Sequence, residues 1–169
     1  MSAKKTLPVS SEDGDDFELS MAVVQNSGCL KQMALDLNID LESDEPINCE
    51  RIDLTALSSK MLEFVSEYCQ FHQFLGEVPH TKDENDEYDS KLNLFTDNFI
   101  KKTEEFRYEL IMAANFLDIS SLLTLGCDAA ADTMKGKTTE QLREYFGLED
   151  DFTEAEKEFF RNQNKWVDE

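Results

Sequence analysis

The chain is short of the residue types that most enzyme chemistry relies on. Its 169 residues include only two histidines, His72 and His80, which leaves few candidate general bases near neutral pH. The four cysteines stand at positions 29, 49, 69 and 127 with no C-x-x-C pair among them. Cys69 and His72 have ligand-like spacing, but no second pair completes a tetrahedral site, so reduced structural thiols are expected and no metal. By type the same two residues also make a nucleophile–base pair, yet an i, i+3 spacing on a core helix more often means two packed side chains. G-x-S-x-G, H-E-x-x-H and a glycine-rich dinucleotide loop are all missing. The expectation is a protein that is not an enzyme and carries no cofactor. Positive charge is scarce as well: 16 basic residues stand against 37 acidic ones, a net charge of −21. That field repels a phosphate backbone and an anionic membrane, so neither nucleic acid nor membrane is expected as a partner. No apolar run approaches the length of a membrane span, and Met1–Asp16 contains no apolar h-region. A soluble, intracellular protein of the cytoplasm and nucleus is expected.

What the chain does have is core-forming material. Hydrophobic residues make up 40%, with 12 Phe among them, enough for one domain with a sizeable core. The stretch "TLPVSSEDGDDFELS" reads as a hairpin: Leu7 and Val9, then Phe17 and Leu19, alternate with polar residues around an Asp13-Gly14 turn. Ser20 is placed to cap a short helix over Met21–Gln25. Leu30, Met33, Ala34 and Leu37 form one helical stripe. Beyond the charged loop "DLESDEP", Ile47 is expected to start a short strand. Asp53 is expected to cap a longer helix, with Leu54, Leu57, Met61, Phe64, Val65, Tyr68 and Phe71 on its inner side. From Gly76 to about Lys91 the polar, acidic "GEVPHTKDENDEYDSK" predicts a mobile surface loop. Helical pattern resumes after "FTDNF". One helix carries Phe106, Leu110, Ile111, Ala113 and Ala114. Another, capped by Asp118, carries Ile119, Leu122, Leu123, Cys127, Ala130, Ala131 and Met134.

Gly136-Lys137-Thr138 is how a phosphate-binding loop ends, but that loop needs an earlier glycine where Ala131 stands, and a strand where the pattern is helical. The triplet reads better as punctuation. Gly136 ends one helix in the left-handed conformation, and Thr138 with Gln141 caps the next. Thr153 with Glu156 starts a last short helix in the same way. The tail holds Tyr145, Phe146, Leu148, Phe152, Phe159, Phe160, Trp166 and Val167, more large apolar residues than two short helices bury among themselves. Either they pack back on the main domain or they serve a partner. Pattern alone leaves both open.

Several of these stretches, in this order and at these intervals, resemble the S-phase kinase-associated (Skp) proteins, the adaptors of Skp–cullin–F-box ubiquitin ligases. They are Ala113-Ala114-Asn115-Phe116-Leu117-Asp118-Ile119, Lys135-Gly136-Lys137-Thr138, Asp151-Phe152-Thr153-Glu154 and Asn164-Lys165-Trp166. "SSEDGDDFELS", the helix after Ser27 and "EFVSEYC" match more loosely, so the likeness covers nearly the whole chain.

The resemblance implies a mainly helical α/β fold of the POZ (BTB) type over residues 1–134, a small sheet packed by helices. It also implies an F-box-binding helical extension over 135–169. It places the cullin N-terminal domain at Asn115 and Phe116. The F-box contacts fall at Leu123, Cys127, Ala130, Ala131, Met134, Phe146, Leu148, Phe160 and Trp166. Phe116 stands where the family usually has Tyr, Thr139 where a Pro is common, and Val167 where Cys or Ala often follows the Trp. The function implied is a proximity adaptor that holds a substrate receptor on a cullin scaffold. The alternative is a POZ scaffold that self-associates outside any ligase, as a homodimer through its hairpin and the helix after Ser27.

If Gly136-Lys137-Thr138 is helix punctuation, Lys137→Ala matters little to stability. Thr138→Ala costs about 1 kcal/mol of local helix stability through the lost cap. Amide exchange over residues 139–146 measures both; a nucleotide-dependent change in the parent chain that Lys137→Ala removes would reverse this reading.

Overall fold

The structure is a computed structural model in which residues 5–43, 45–76 and 82–164 are described. Strands β1 (Thr6–Ser11) and β2 (Asp16–Ser20) form the expected hairpin, in antiparallel register Leu7↔Leu19 and Val9↔Phe17. Period two puts Leu7, Val9 and Leu19 wholly in the core. Gly14 takes the turn with φ +83°, a conformation that costs a glycine little. Helices α1 (Met21–Asn26) and α2 (Gly28–Asp36) carry the chain across to β3 (Ile52–Leu54), which lies parallel to β1 on its other side, giving the order β2-β1-β3. Ser20 stands at the N-cap position of α1, but its hydroxyl makes no cap bond and is buried without a hydrogen-bond partner.

The expected strand at Ile47 and the expected cap at Asp53 are both corrected. The strand is Ile52–Leu54, so Asp53 lies within β3, where its carboxylate accepts from the Ser10 hydroxyl at 2.5 Å. Ile47 lies outside any strand, packed against the core. The long helix α3 (Ser59–Leu75) begins only after Leu54 and Leu57 have already been buried by the strand and the following turn. Its capping groups are remote. The Ser59 amide donates to Asp13 Oδ2 at 2.7 Å and its hydroxyl to Asp15 Oδ2 at 2.7 Å, both from the hairpin turn. A local search for a capping residue misses them.

The expected mobile loop over Gly76–Lys91 is corrected too. Residues 77–81 lie outside the described residues, but from Lys82 the chain is helix α4 (Lys82–Lys102), which includes "FTDNF". Tyr88, Leu92, Phe95 and Phe99, spaced i, i+4, i+7, i+11, are half-buried or buried along one side. A helix needs only one apolar stripe, and the acidic residues occupy the others. Phe95 stacks on Phe71 with ring centroids 3.8 Å apart, and Phe99 meets Phe64 and Tyr68. Glu87 and Lys91 pair at 2.7 Å along the exposed side.

A 3-10 turn (Glu104–Phe106) leads to α5 (Arg107–Phe116) and α6 (Ser120–Met134), and then come α7 (Thr139–Phe146) and α8 (Glu154–Gln163). Asp118, expected to cap α6, instead terminates α5 in the left-handed conformation, with φ +53°. The chain forms two compact units, Met1–Ala131 and Asp132–Glu169, where the sequence placed a division after Met134. The first holds the buried core, including Leu19, Val23, Leu62, Val65 and Leu122. In the second, neither α7 nor α8 buries a single residue.

Asp13→Ala removes the acceptor for the first amide of α3 and should cost about 1 kcal/mol, lowering the melting temperature by about 2–4 °C. A thermal melt of the variant against the parent checks it; an unchanged midpoint would mean that the turn carboxylate caps nothing of consequence.

Candidate functional site: two exposed surfaces for protein partners

The first surface is the turn from α5 to α6. Ala113, Ala114, Leu117 and Ile119 are buried there, while Asn115 and Phe116 face outward, Phe116 38% exposed. The turn closes as a Schellman motif: the Ile119 amide donates to Ala114 O at 2.9 Å and the Asp118 amide to Asn115 O at 3.1 Å. The two residues expected to meet a cullin are therefore fixed by buried neighbours on both sides. Tyr108 and Met112, exposed on the same helix at i−8 and i−4 from Phe116, continue an apolar line that pattern reading overlooked. The i, i+4 spacing from Phe116 was the available signal.

The second set of expected contacts divides between the two units. Leu123, Cys127, Ala130 and Ala131 share one face of α6, at i, i+4, i+7 and i+8. Leu123 is half-buried against the core, Cys127 and Ala131 are exposed and Ala130 is buried. In the second unit Met134 is half-buried, whereas Phe146 is 39%, Leu148 62% and Phe160 45% exposed. Trp166 and Val167 lie outside the described residues. Tyr145, Phe152 and Phe159 are exposed as well. Within the second unit the described aromatics form no core. They cluster locally, Tyr145 edge-on to Phe146 at 5.1 Å, and Phe160 meeting Phe152 at 5.4 Å and Phe159 at 5.6 Å.

With so little burial, the second unit is ordered by its ends. Gly136 turns left-handed at φ +73° after α6. At α7 the Gln141 amide donates to Thr138 Oγ at 3.3 Å and the Thr138 amide to Gln141 Oε1 at 2.9 Å, a full capping box. Lys137 places its ammonium 5.7 Å from the Tyr145 ring. The triplet is helix punctuation. Thr153 and Glu156 make a second box at α8, and the Thr153 hydroxyl also donates to Glu156 Oε2 at 2.7 Å. The Thr153 side chain, with its backbone amide, holds the Glu156 carboxyl below the usual value of 4.5. Asp150 links the two helices, accepting from Lys157 at 2.6 Å and pairing with Arg143 at 3.5 Å.

Cys69 and His72 are packed residues of α3. Burial pushes the Cys69 thiol up to about 12, the opposite of what a thiolate nucleophile needs. The His72 ring lies 4.3 Å from that of Tyr68, and burial lowers its pKa. Among the described residues no group of three or more His, Cys, Asp or Glu is placed to hold a metal, and no helix is long and apolar enough to cross a membrane.

A three-stranded sheet packed by helices, followed by two capped helices with exposed aromatic residues, defines a POZ-type domain with a C-terminal helical extension. Residues 5–74 match the Skp1 family tetramerisation domain and residues 120–167 the Skp1 family dimerisation domain. The chain is 37% identical to SKP1-like protein 4 of Arabidopsis thaliana, covering 97% of this chain and 96% of that one. It is 36% identical to SKP1-like protein 11 of the same plant, over 98% of each. To the E3 ubiquitin ligase complex SCF subunit sconC of Arthroderma benhamiae it is 32% identical, over 99% of this chain and 98% of that subunit. The chain belongs to the Skp1 family.

The α8 box predicts a pH dependence with a definite sign. A depressed carboxyl pKa contributes stability at neutral pH that disappears as pH falls through the depressed value. Helicity of α8 should therefore hold to below the ordinary value of 4.5 and then decline. In Thr153→Ala, Glu156 should titrate nearer its ordinary value. Carboxyl chemical shifts followed through an acid titration check both; identical curves for parent and variant would exclude the box as the cause.

Proposed function

We propose that this chain is the non-enzymatic adaptor of an SCF-type E3 ubiquitin ligase. It joins F-box substrate receptors to the N-terminal domain of a cullin, so that receptor-bound substrate is ubiquitinated by proximity. The observation that carries this reading is the second unit. Its aromatic residues lie on or beside well-capped helices yet stay exposed, and an exposed apolar cluster of this kind marks a surface for a partner. A covered aromatic cluster is also where interface energy concentrates. Family membership over nearly the whole chain supports the same role. Phe146, Leu148, Phe160 and Trp166 are the centre of the F-box contact, with Leu123, Cys127, Ala130, Ala131 and Met134 contributed by α6. Asn115 and Phe116 meet the cullin, and Phe116 does so without the phenolic hydrogen bond a Tyr supplies.

The net charge of −21 favours partners with basic rims and disfavours nucleic acid and anionic membranes. The adaptor works in cytoplasm and nucleus, where F-box proteins and cullins meet their substrates.

The two surfaces should separate by mutation. Asn115→Lys with Phe116→Lys should abolish cullin binding and leave F-box binding intact. Phe160→Ala or Trp166→Ala should weaken F-box binding by about 2 kcal/mol or more and leave the cullin bound. Affinities for an F-box protein and for a cullin N-terminal domain, measured on each variant, check both. Simultaneous loss in the turn variant would mean that the turn supports the fold rather than an interface, and parental F-box affinity in the tail variants would remove the tail from the contact.

A further inference from the structure

We propose that the junction between α1 and α2, which is not among the expected cullin or F-box contacts, positions the cullin-binding turn and thereby sets cullin affinity. Three hydrogen bonds join the start of α2 to the end of α5: Ser27 Oγ to Leu117 O at 2.5 Å, the Cys29 amide to Leu117 O at 3.3 Å, and the Gly28 amide to Asp118 O at 3.2 Å. The Ser27 hydroxyl also accepts from the Leu30 amide at 3.0 Å, so one wholly buried side chain both caps α2 and grips the turn. Leu117 and Asp118 directly follow Asn115 and Phe116. A shift of their carbonyls carries those two side chains with it.

The close approach is possible only because residue 28 lacks a Cβ. A methyl group on Gly28 would collide with the Asp118 carboxylate, and would lie 2.9 Å from its Cγ and 3.2 Å from its Cβ. Rotating the carboxylate away relieves the first contacts but not the last, because the Asp118 Cβ is fixed by a backbone at φ +53°. Asp118 is exposed and reaches this left-handed conformation at a cost that a glycine would not bear. Gly28, Ser27 and Asp118 are thus positioning residues. Their close approach, joined by three hydrogen bonds, holds the turn in one geometry.

The inference rests on the cullin reading of the turn, and the experiment keeps the two apart. Cullin N-terminal domain affinity, F-box protein affinity and melting temperature are measured on the full chain for Gly28→Ala, Asp118→Gly, the pair together, and Asn115→Lys with Phe116→Lys. Gly28→Ala should weaken cullin binding about tenfold with F-box affinity unchanged. In the Asp118→Gly background, where Cβ is gone and φ +53° is free, the same substitution should cost nothing further. A folded Ser27→Ala chain, which loses one of the three bonds and gains no atom, should weaken cullin binding by a smaller factor; full affinity there overturns the proposal. So does parental affinity in Gly28→Ala while the Lys pair abolishes binding. A loss in Gly28→Ala that spreads to F-box binding and is not relieved by Asp118→Gly makes Gly28 a fold residue only and also overturns it. If the Lys pair itself binds cullin normally, the reading of the turn falls, and this inference with it.

Discussion

Helix ends leave backbone groups without partners, and the first unit resolves this by setting two ends against each other. The amides that open α2 have no carbonyls of their own helix to bond, and the carbonyls that close α5 have no amides. Gly28, Cys29 and Leu117, Asp118 satisfy one another across 90 residues of chain, with the Ser27 hydroxyl between them. Opening this contact would strand the groups of the buried residues Ser27 and Leu117, each costing about 1–3 kcal/mol. The rest of the unit is arranged so that it need not open. Val23 and Val24 of α1, Leu30 of α2, and Leu117 and Ile119 of the turn are all fully or almost fully buried. Gly126 lets α6 come close to α5, since a methyl group there would stand 2.7 Å from Ile111 Cγ1.

Signals confined to a few adjacent residues were legible in the sequence. The hairpin followed from alternation around Asp13-Gly14, and both C-terminal capping boxes followed from Thr with Gln or Glu three residues on. What was not legible depended on distance. Asp53 looks like a cap because Leu54 and Leu57 fit the stripe of α3, yet β3 claims Asp53 and Leu54 by pairing with β1. The actual carboxylates at the start of α3, Asp13 and Asp15, come from more than 40 positions earlier. The α4 misreading has a different cause. Net charge over the window 76–91 concealed that its one apolar line, begun by Tyr88, continues through Leu92 and Phe95 to Phe99 outside the window. Composition averages over all faces of a helix, but burial concerns only one.

For the candidate surfaces, the sequence placed Asn115 and Phe116 through resemblance, and the structure supplies the reason they are available: the chain reverses there with its neighbours buried. The exposed tail was not decidable from pattern, since a run of aromatics separated by charge is the same string whether it packs inward or not. Exposure is a property of the folded surroundings. Tyr108 and Met112 share an i, i+4 spacing with Phe116, but that spacing alone does not tell an exposed line from a buried one.

The two units thus follow different physical logic. The first is held by burial and by reciprocal hydrogen bonds, so the turn that carries Asn115 and Phe116 is fixed in place. The second has no core of its own in α7 or α8, and isolated helices of 8 and 10 residues are marginal in water. Their capping boxes, the left-handed Gly147 that closes α7, and the Asp150 link to Lys157 and Arg143 raise local order without burying the aromatics. For an adaptor this matters. A disordered tail would have to be ordered at the moment of binding, and that cost would come out of the affinity. Capped helices that still expose Phe146 and Phe160, with Leu148 exposed just beyond α7, bear much of the backbone cost in advance and leave the apolar gain for a partner. Local hydrogen bonds order the surface and leave its apolar area unburied.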